Sequence, residues 1–272
     1  MTGPYRIWDA LAPKPIERQY RISLCTTCMG RLADLERTLP VNLELNAGYL
    51  DLEFVILDYN SPDGLQDWMR RTMKPHLDSG RVVYYRTEEP RFYSMTHSRN
   101  VAFKLASGDI VCNVDADNYT LDQRLSSEER PRACFAERLN YLANQLGRRV
   151  FFAKSRQLLR GRLGFFRREF MEELGGYDEG LLGYGRDDDD LRNRAWALGY
   201  TMMRFDGPYV DRIKTTREQK GALMADTNWR RTERDNAAKS AVNIAARRLQ
   251  ANVGKAWGRT VVRRNFEQWI EL

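Results

Sequence analysis

At 272 residues, with 42% hydrophobic residues, 30% charged residues and a net charge of +7, the chain is long enough for one large α/β domain or two small ones and too evenly mixed to be disordered. No stretch approaches the roughly 20 apolar residues that cross a bilayer. The opening "MTGPYRIWDALAPKPIERQY" lacks the apolar centre of a signal peptide, so a cytoplasmic location is the default expectation.

Residues 1–20 hold three prolines and no clear period, which suggests an extension wrapping the domain or partly mobile. "RISLCT" (21–26) is a short predicted strand. "RLADLERTLPVNLEL" follows with helical spacing, Leu32, Leu35 and Leu39 sharing a face, and Pro40 predicts a kink or break. "LEFVILD" (52–58) is nearly all apolar, as a strand covered on both faces should be. "YNSPDG" is turn chemistry. "RVVYYR" (81–86) is a third strand, "HSRNVAFKLASG" (97–108) a helix closed by Gly108, and "DIVCNV" a fourth strand. This alternation predicts a parallel sheet covered by helices, with ligands beyond the carboxyl ends of the strands. Further on, "RRVFFAKS" and "GRLGFFRR" read as strands, "REFMEELGGYDEG" as a short helix ending at Gly175, and "DDDDLRNRAWALG" as a helix opening on four acids. The extended segment "YTMMRFDG" comes next.

Cys25, Cys28, Cys112 and Cys134 show no disulfide framework. "CTTC" (25–28) has redox spacing, but redox work needs an exposed thiolate, and a zinc site needs a second ligand pair that is missing.

Two acidic clusters carry the chemistry. In "CNVDADNYT" (112–120), Asp115 and Asp117 end the fourth strand. On an extended segment they point the same way. Either they are solvated turn residues, or they share a divalent cation that relieves their repulsion. In "GGYDEGLLGYGRDDDDL" (175–191), a glycine-rich loop feeds Asp187 to Asp190. Successive helical positions face about 100° apart, so only one or two of the four can serve a cleft. A carboxylate there could take a proton from a hydroxyl nucleophile. The plain alternative is a helix start whose acids complement the dipole.

"SLCTTCMGRLADLERTL", "FVILDYNSPDG", "HSRNVAFKLASGDIVCNVDAD" and "GGYDEGLLGYGRDDDDLRNRAWALGY" occur in that order across residues 21–205. Together they resemble the nucleotide-sugar glycosyltransferases of the GT-A fold, above all the inverting family 2 enzymes, with a galactosyltransferase-like acceptor half. The resemblance implies a Rossmann-like, mostly parallel central sheet flanked by helices. It implies a donor-binding half at 21–120, an acceptor-binding and catalytic half at 121–215, and a basic helical extension at 216–272. Asp115 and Asp117 match the pair that holds Mn²⁺ or Mg²⁺ and the donor diphosphate, and Asp58 matches a base contact. Thr26 and Arg31 fall on the loop lining that pocket, and Arg99 and Asn100 match donor contacts from a helix. Asp188 matches the general base and Asp187 the residue that holds the acceptor. The implied activity is transfer of a sugar, with inversion, from a UDP-linked donor to the hydroxyl of a glycan or lipid-linked glycan.

Three positions depart from the family pattern. Tyr59 replaces a second strand-end Asp, Asp187 is shorter than the usual Glu, and no His follows the last core strand. Asp211 is the candidate third metal ligand in place of that His, and His97 is a candidate donor contact. A non-catalytic binding protein on the same fold and a nucleotidyltransferase are the rival classes.

Residues 228–272 carry ten Lys and Arg against four Asp and Glu. Within them Val242, Ala245, Leu249, Val253 and Trp257 recur at helical steps opposite Arg248, Lys255 and Arg259, which predicts an amphipathic helix over 242–257. Its cationic face suits solvent, an anionic membrane surface at which the enzyme would sit peripherally, or nucleic acid. The last would fit an enzyme glycosylating modified DNA bases, with Trp229 or Trp257 available to stack.

Overall fold

The computed structural model of the chain describes residues 14–125, 134–154, 162–205, 207–209 and 211–272. In chain order the elements are β1 (Ile22–Cys28), α1 (Leu32–Leu45), β2 (Leu52–Tyr59), α2 (Leu65–Thr72), α3 (Lys74–Asp78), β3 (Val82–Thr87), α4 (Met95–Leu105), β4 (Ile110–Asn113), β5 (Asn118–Tyr119) and α5 (Phe135–Ala143). They continue with β6 (Val150–Ala153), β7 (Leu163–Phe166), α6 (Arg167–Glu172), α7 (Asp187–Ala197), β8 (Thr201–Arg204), β9 (Asp211–Arg212), α8 (Arg217–Gly221), α9 (Trp229–Ala245), β10 (Val261–Arg264) and β11 (Gln268–Glu271).

The expected parallel sheet is present. Its hydrogen-bonded order is β11-β10-β3-β2-β1-β4-β7-β6-β8. Strands β3, β2, β1 and β4 run parallel, while β7 and β10 pair antiparallel on either side of them. Every residue of β1 and β2 is buried, because alternate side chains feed two separate cores. Phe54 and Ile56 meet Leu35 and Leu39 of α1 and Phe135 of α5 on one face. Val55 and Leu57 meet Val101 and Phe103 of α4, Phe170 of α6 and Leu191 of α7 on the other. Each such side chain contributes about 1.5–3 kcal/mol of burial, so a strand covered twice is strongly held. The chain builds outward from β1 to β3, then returns to lay β4 on the other side of β1. That reversal opens a crevice beyond the carboxyl ends of β1 and β4.

Several boundaries differ from expectation. Helix α1 runs through Pro40 without ending. Its buried positions, Leu35, Thr38 and Leu39 before the proline and Asn42 and Leu43 after it, hold both halves on the sheet, and tertiary packing of this kind outweighs the lost hydrogen bond. Helix α4 stops at Leu105, and Gly108 serves a different purpose. A Cβ on it would lie 2.6 Å from Ser23 Oγ, so the glycine lets the chain pass close over β1. Of the expected N-terminal extension, residues 1–13 lie outside the described residues. Residues 14–20 run along α5, with Asn144 Oδ1 accepting from the backbone N–H of Glu17 and Arg18 and Asn140 Oδ1 from that of Tyr20.

The tail needs a larger correction. No helix spans 242–257. Helix α9 ends at Ala245, turns follow with Arg247, Asn252 and Gly254 all at positive φ, and β10 and β11 form a hairpin that extends the sheet beyond β3. The side chain of Asn252 donates to the carbonyls of Gly175 and Tyr177. Leu249 and Ala251 are buried, so the apolar spacing served a folded-back turn. Trp257 lies under Lys104, whose Nζ is 4.3 Å from the ring centroid. It also lies so close to Gly176 that a Cβ there would be 2.7 Å away. Trp229 carries Arg230 over its ring at 4.4 Å.

Candidate active site

A cavity of about 630 Å³ lies in the crevice beyond β1 and β4, and Arg31, Arg99, Asp115, Asp117, Asp187 and Asp188 all line it. The first acidic pair reaches it in an unexpected way. Strand β4 ends at Asn113, and the N–H of Asn118 donates to the carbonyl of Asp115 at 2.9 Å. The two carboxylates therefore flank Ala116 in a tight turn instead of sharing one face of an extended strand. Helix α1 pins that turn from beneath. Thr38 Oγ1 donates to the carbonyl of Ala116 at 2.7 Å, and Asn42 Nδ2 to that of Asn118 at 2.9 Å. Asp117 accepts from Thr215 Oγ1 at 2.7 Å and from Arg31 at 3.4 Å.

The second cluster arrives on α7. Gly185 (φ 95°) and Arg186 (φ 70°) are consecutive left-handed residues, a conformation costly for arginine. They swing the chain so that the helix starts at Asp187 on the cavity wall. The four acids then separate by function, as helical geometry requires. Asp187 and Asp188 face Arg99. Asp189 also lines the cavity but pairs with Arg186 and Arg192 instead of Arg99. Asp190 is buried, accepting from Arg194 Nε at 2.8 Å and from Ser240 Oγ of α9 at 2.7 Å.

Arg99 joins the clusters. Its side chain is 2% exposed. One terminal nitrogen donates to Asp115 at 3.1 Å, and the other to Asp188 at 3.1 Å and to Asp187. Tyr177 supports this arrangement, with its ring 5.5 Å from the guanidinium and its hydroxyl donating to Asp188 at 3.2 Å. Burial opposes the charge on Arg99, but Asp188, Asp187 and Asp115 more than offset it. Burial likewise pushes both Asp187 and Asp188 above the usual carboxylate range, and Arg99 draws them back down. Asp188 is pushed up to about 7, which suits a base working near neutral pH.

Other expected contacts lie elsewhere. Thr26 is turned from the cavity, donating to the carbonyl of Val114 at 2.7 Å; its neighbour Thr27 lines the cavity and shares a 2.6 Å hydrogen bond with Tyr93. Asp58 is fully buried below the cavity, where it accepts from the Ser61 N–H, Tyr84 and Arg86. Asn100 is also buried and ties α4 to Tyr177 and Glu179. His97 bonds Tyr59 and the carbonyl of Arg259. Asp211 accepts from the backbone N–H of Gln123 and Arg212, and it is Arg212 that lines the cavity. Among the described residues no group of three or more His, Cys, Asp or Glu is set to hold a metal, so Asp211 does not join the pair. Asp115 and Asp117 still fit a hard divalent ion that takes its remaining oxygens from water and phosphate. All four cysteines are buried, and burial raises the thiols of the "CTTC" pair, which leaves no nucleophilic thiolate there.

Thr27, Tyr93, Arg212 and the segment around Gln219 to Met224 complete the wall and were not found by sequence reasoning. Extending the first predicted strand to Cys28 would have exchanged Thr26 for Thr27. The 219–224 wall carries no comparable local signal.

Residues 23–128 match the family model described as glycosyl transferase family 2, and residues 153–219 match that of the N-terminal domain of galactosyltransferase. Among solved structures, the chain is similar to the mannosyltransferase PcManGT of Pyrobaculum calidifontis in complex with GDP-Man and Mn²⁺ (TM-score 0.55, 22% identity, 72% of this chain and 57% of that one). It is also similar to S. aureus TarS 1–349 in complex with UDP-GlcNAc (0.58, 13%, 80% and 66%) and in complex with UDP (0.52, 14%, 70% and 59%). The chain thus spans less than two thirds of the length of each. No curated protein matches it significantly.

Proposed function

From the premise that this chain is a glycosyltransferase of the GT-A fold, we propose that it transfers a sugar, with inversion, from a nucleoside diphosphate donor to an acceptor hydroxyl. The observation that carries this is the buried Arg99, which holds Asp115 and the Asp187–Asp188 pair on one cavity. In that reading Asp115 and Asp117 would hold Mn²⁺ or Mg²⁺ together with the diphosphate, and Arg31 and Arg212 would add positive charge for the phosphates. When bound, the ion would offset the charge that builds on the departing diphosphate.

Asp187 fixes the acceptor, and Asp188 accepts the proton of its attacking hydroxyl. Attack from the Asp188 side, opposite the leaving diphosphate, inverts the anomeric carbon in one displacement. Arg99 keeps Asp188 ionised and aimed. Asp58, Asn100 and Thr26 act from behind the wall, holding the loop after β2, the start of the acceptor loop and the end of β4. Neighbours with bound UDP, UDP-GlcNAc and GDP-Man support a uracil or guanine nucleotide, and a UDP-sugar donor is the reading to test first. A glycan or lipid-linked glycan hydroxyl is the proposed acceptor class.

The test is a screen of UDP- and GDP-sugars with and without Mn²⁺. The expected result is a ligand- and metal-dependent rise in melting temperature, release of nucleoside diphosphate, and an inverted product anomer by NMR. Retention of configuration, or unchanged turnover in Asp117→Asn, would refute the assignment.

A further inference from the structure

Residues 236–266 contain seven Lys and Arg and no Asp or Glu, a charge equal to the net charge of the whole chain. Arg247, Arg248, Lys255 and Arg259 are all exposed, and among the described residues none of the four is in an ion pair. Val242 (60% exposed) and Val253 (69%) stand on the same segment. Exposed aliphatic side chains on a segment whose cations have no ion-pair partner among the described residues are the combination an anionic membrane surface can take up.

We propose that this segment is a docking surface for a membrane rich in anionic phospholipid, with the arginines and Lys255 on headgroup phosphates and the two valines entering the headgroup–acyl boundary. Anionic lipid fits better than nucleic acid because of which side chains are available. Single strands are held by exposed aromatic rings on which bases stack; within the segment Trp257 is packed between Lys104 and Gly176, and the exposed Trp269 of the hairpin has its ring covered by Arg263 at 5.7 Å. Aliphatic side chains have nothing to gain from a phosphate backbone, but they do gain from lipid.

The surface is rigid without being a helix. The N–H of Ala251 donates to the carbonyl of Leu174 at 2.9 Å, Asn252 donates to Gly175 and Tyr177, and Asn243 donates to Asp178. The cationic turn is therefore bolted to the glycine-rich loop that leads into Asp187 and Asp188. Docking there would hold the acceptor half of the enzyme against the lipid.

The test is sedimentation of the full chain with vesicles of phosphatidylcholine alone or with about a third phosphatidylserine, near 0.1 M salt, where the Debye length is about 10 Å. Wild type should bind the anionic vesicles only, and less as salt rises. Arg247→Gln/Arg248→Gln/Lys255→Gln should weaken binding roughly 100-fold, about five-fold per cation lost. Val242→Ser/Val253→Ser should weaken it several-fold with an unchanged melting temperature. Equal binding to neutral vesicles, no binding to either, or full binding by the triple variant would overturn the proposal. So would tighter binding to duplex DNA that the triple variant loses and the valine variant keeps, which would assign the surface to nucleic acid.

Discussion

The two acidic clusters share one cavity but are held there by different means. Asp115 and Asp117 sit on a turn that neutral hydrogen bonds from α1 pin to a doubly covered sheet. Asp187 and Asp188 sit at the start of a helix entered through a left-handed arginine, and their charges converge on one buried guanidinium. The first site is built on a backbone held by packing, although Arg99 and Arg31 also pair with its carboxylates. The second is built by charge, so its geometry and its ionisation depend on the same residue. Removing one partner of a buried pair costs about 3–5 kcal/mol, because the remaining charges stay buried and uncompensated.

That contrast is broken most severely at Arg99. Arg99→Met should lower unfolding free energy by about 3–5 kcal/mol and abolish turnover, whereas Arg31→Met, at a position 21% exposed and paired with Asp34 and Asp117, should cost less stability and raise KM for the donor. Urea denaturation and steady-state kinetics read both. A stable, active Arg99→Met enzyme would mean that the clusters do not depend on their shared cation.

Neighbouring acids of α7 sharpen the same contrast. Asp188→Asn should cut kcat by about 10²–10⁴, the usual range for losing a general base, with little change in stability. Asp190→Asn breaks a buried pair with Arg194 and a bond to Ser240. It should cost stability of the order of 3 kcal/mol and spare the chemistry of whatever remains folded. If the two phenotypes were exchanged, the base would be Asp190.

A pH profile separates the clusters without mutation. Asp188 must be ionised to accept a proton, so kcat/KM should rise through about pH 7 and level off above it. The stability term has the opposite direction. A carboxyl raised in the folded state favours folding fully below its unfolded pKa, near 3.9, and that contribution is lost as pH rises through the folded value. Asp188→Asn should remove both the rise in activity and this decline in stability. An activity that levels off already at pH 5 would mean that Asp188 is not the base.

What was readable beforehand follows the same physical division. The parallel sheet was legible because strands such as "LEFVILD" are covered on both faces and therefore apolar throughout. The acids were legible as residue types, but helical geometry, which left only one or two of the four for the cleft and the rest for solvent, did not anticipate that Asp187, Asp188 and Asp189 all line the cavity while Asp190 is buried against Arg194 and Ser240. The turn at Ala116 was not, because an extended pair and a turn pair have the same spelling; only the bonds from Thr38 and Asn42, some 75 positions away, select the turn. The supposed helix over 242–257 failed for a related reason. Its apolar spacing was real, but Asn252 and Gly254 favour left-handed turns, and the partners of Ala251 and Asn252 are on the loop after α6. Thr26, Asp58 and Asn100 fell at the right ends of the right elements, yet strand parity and local burial turned them inward.

The smallest expected effect tests the packed cluster itself. Thr38→Val keeps the shape of the side chain and deletes only the hydroxyl that donates to the carbonyl of Ala116. One such bond contributes about 1 kcal/mol, and stranding a buried acceptor costs about 1–3 kcal/mol. Denaturant unfolding should therefore show a loss of about 1–2 kcal/mol with an unchanged m-value. The turn carries Asp115 and Asp117 but neither Asp187 nor Asp188, so loosening it should raise KM for the donor a few-fold and leave kcat alone. The opposite split, with kcat falling while KM holds, would mean that the turn positions the reacting centre through Arg99, and that the two clusters are coupled in catalysis as well as in space.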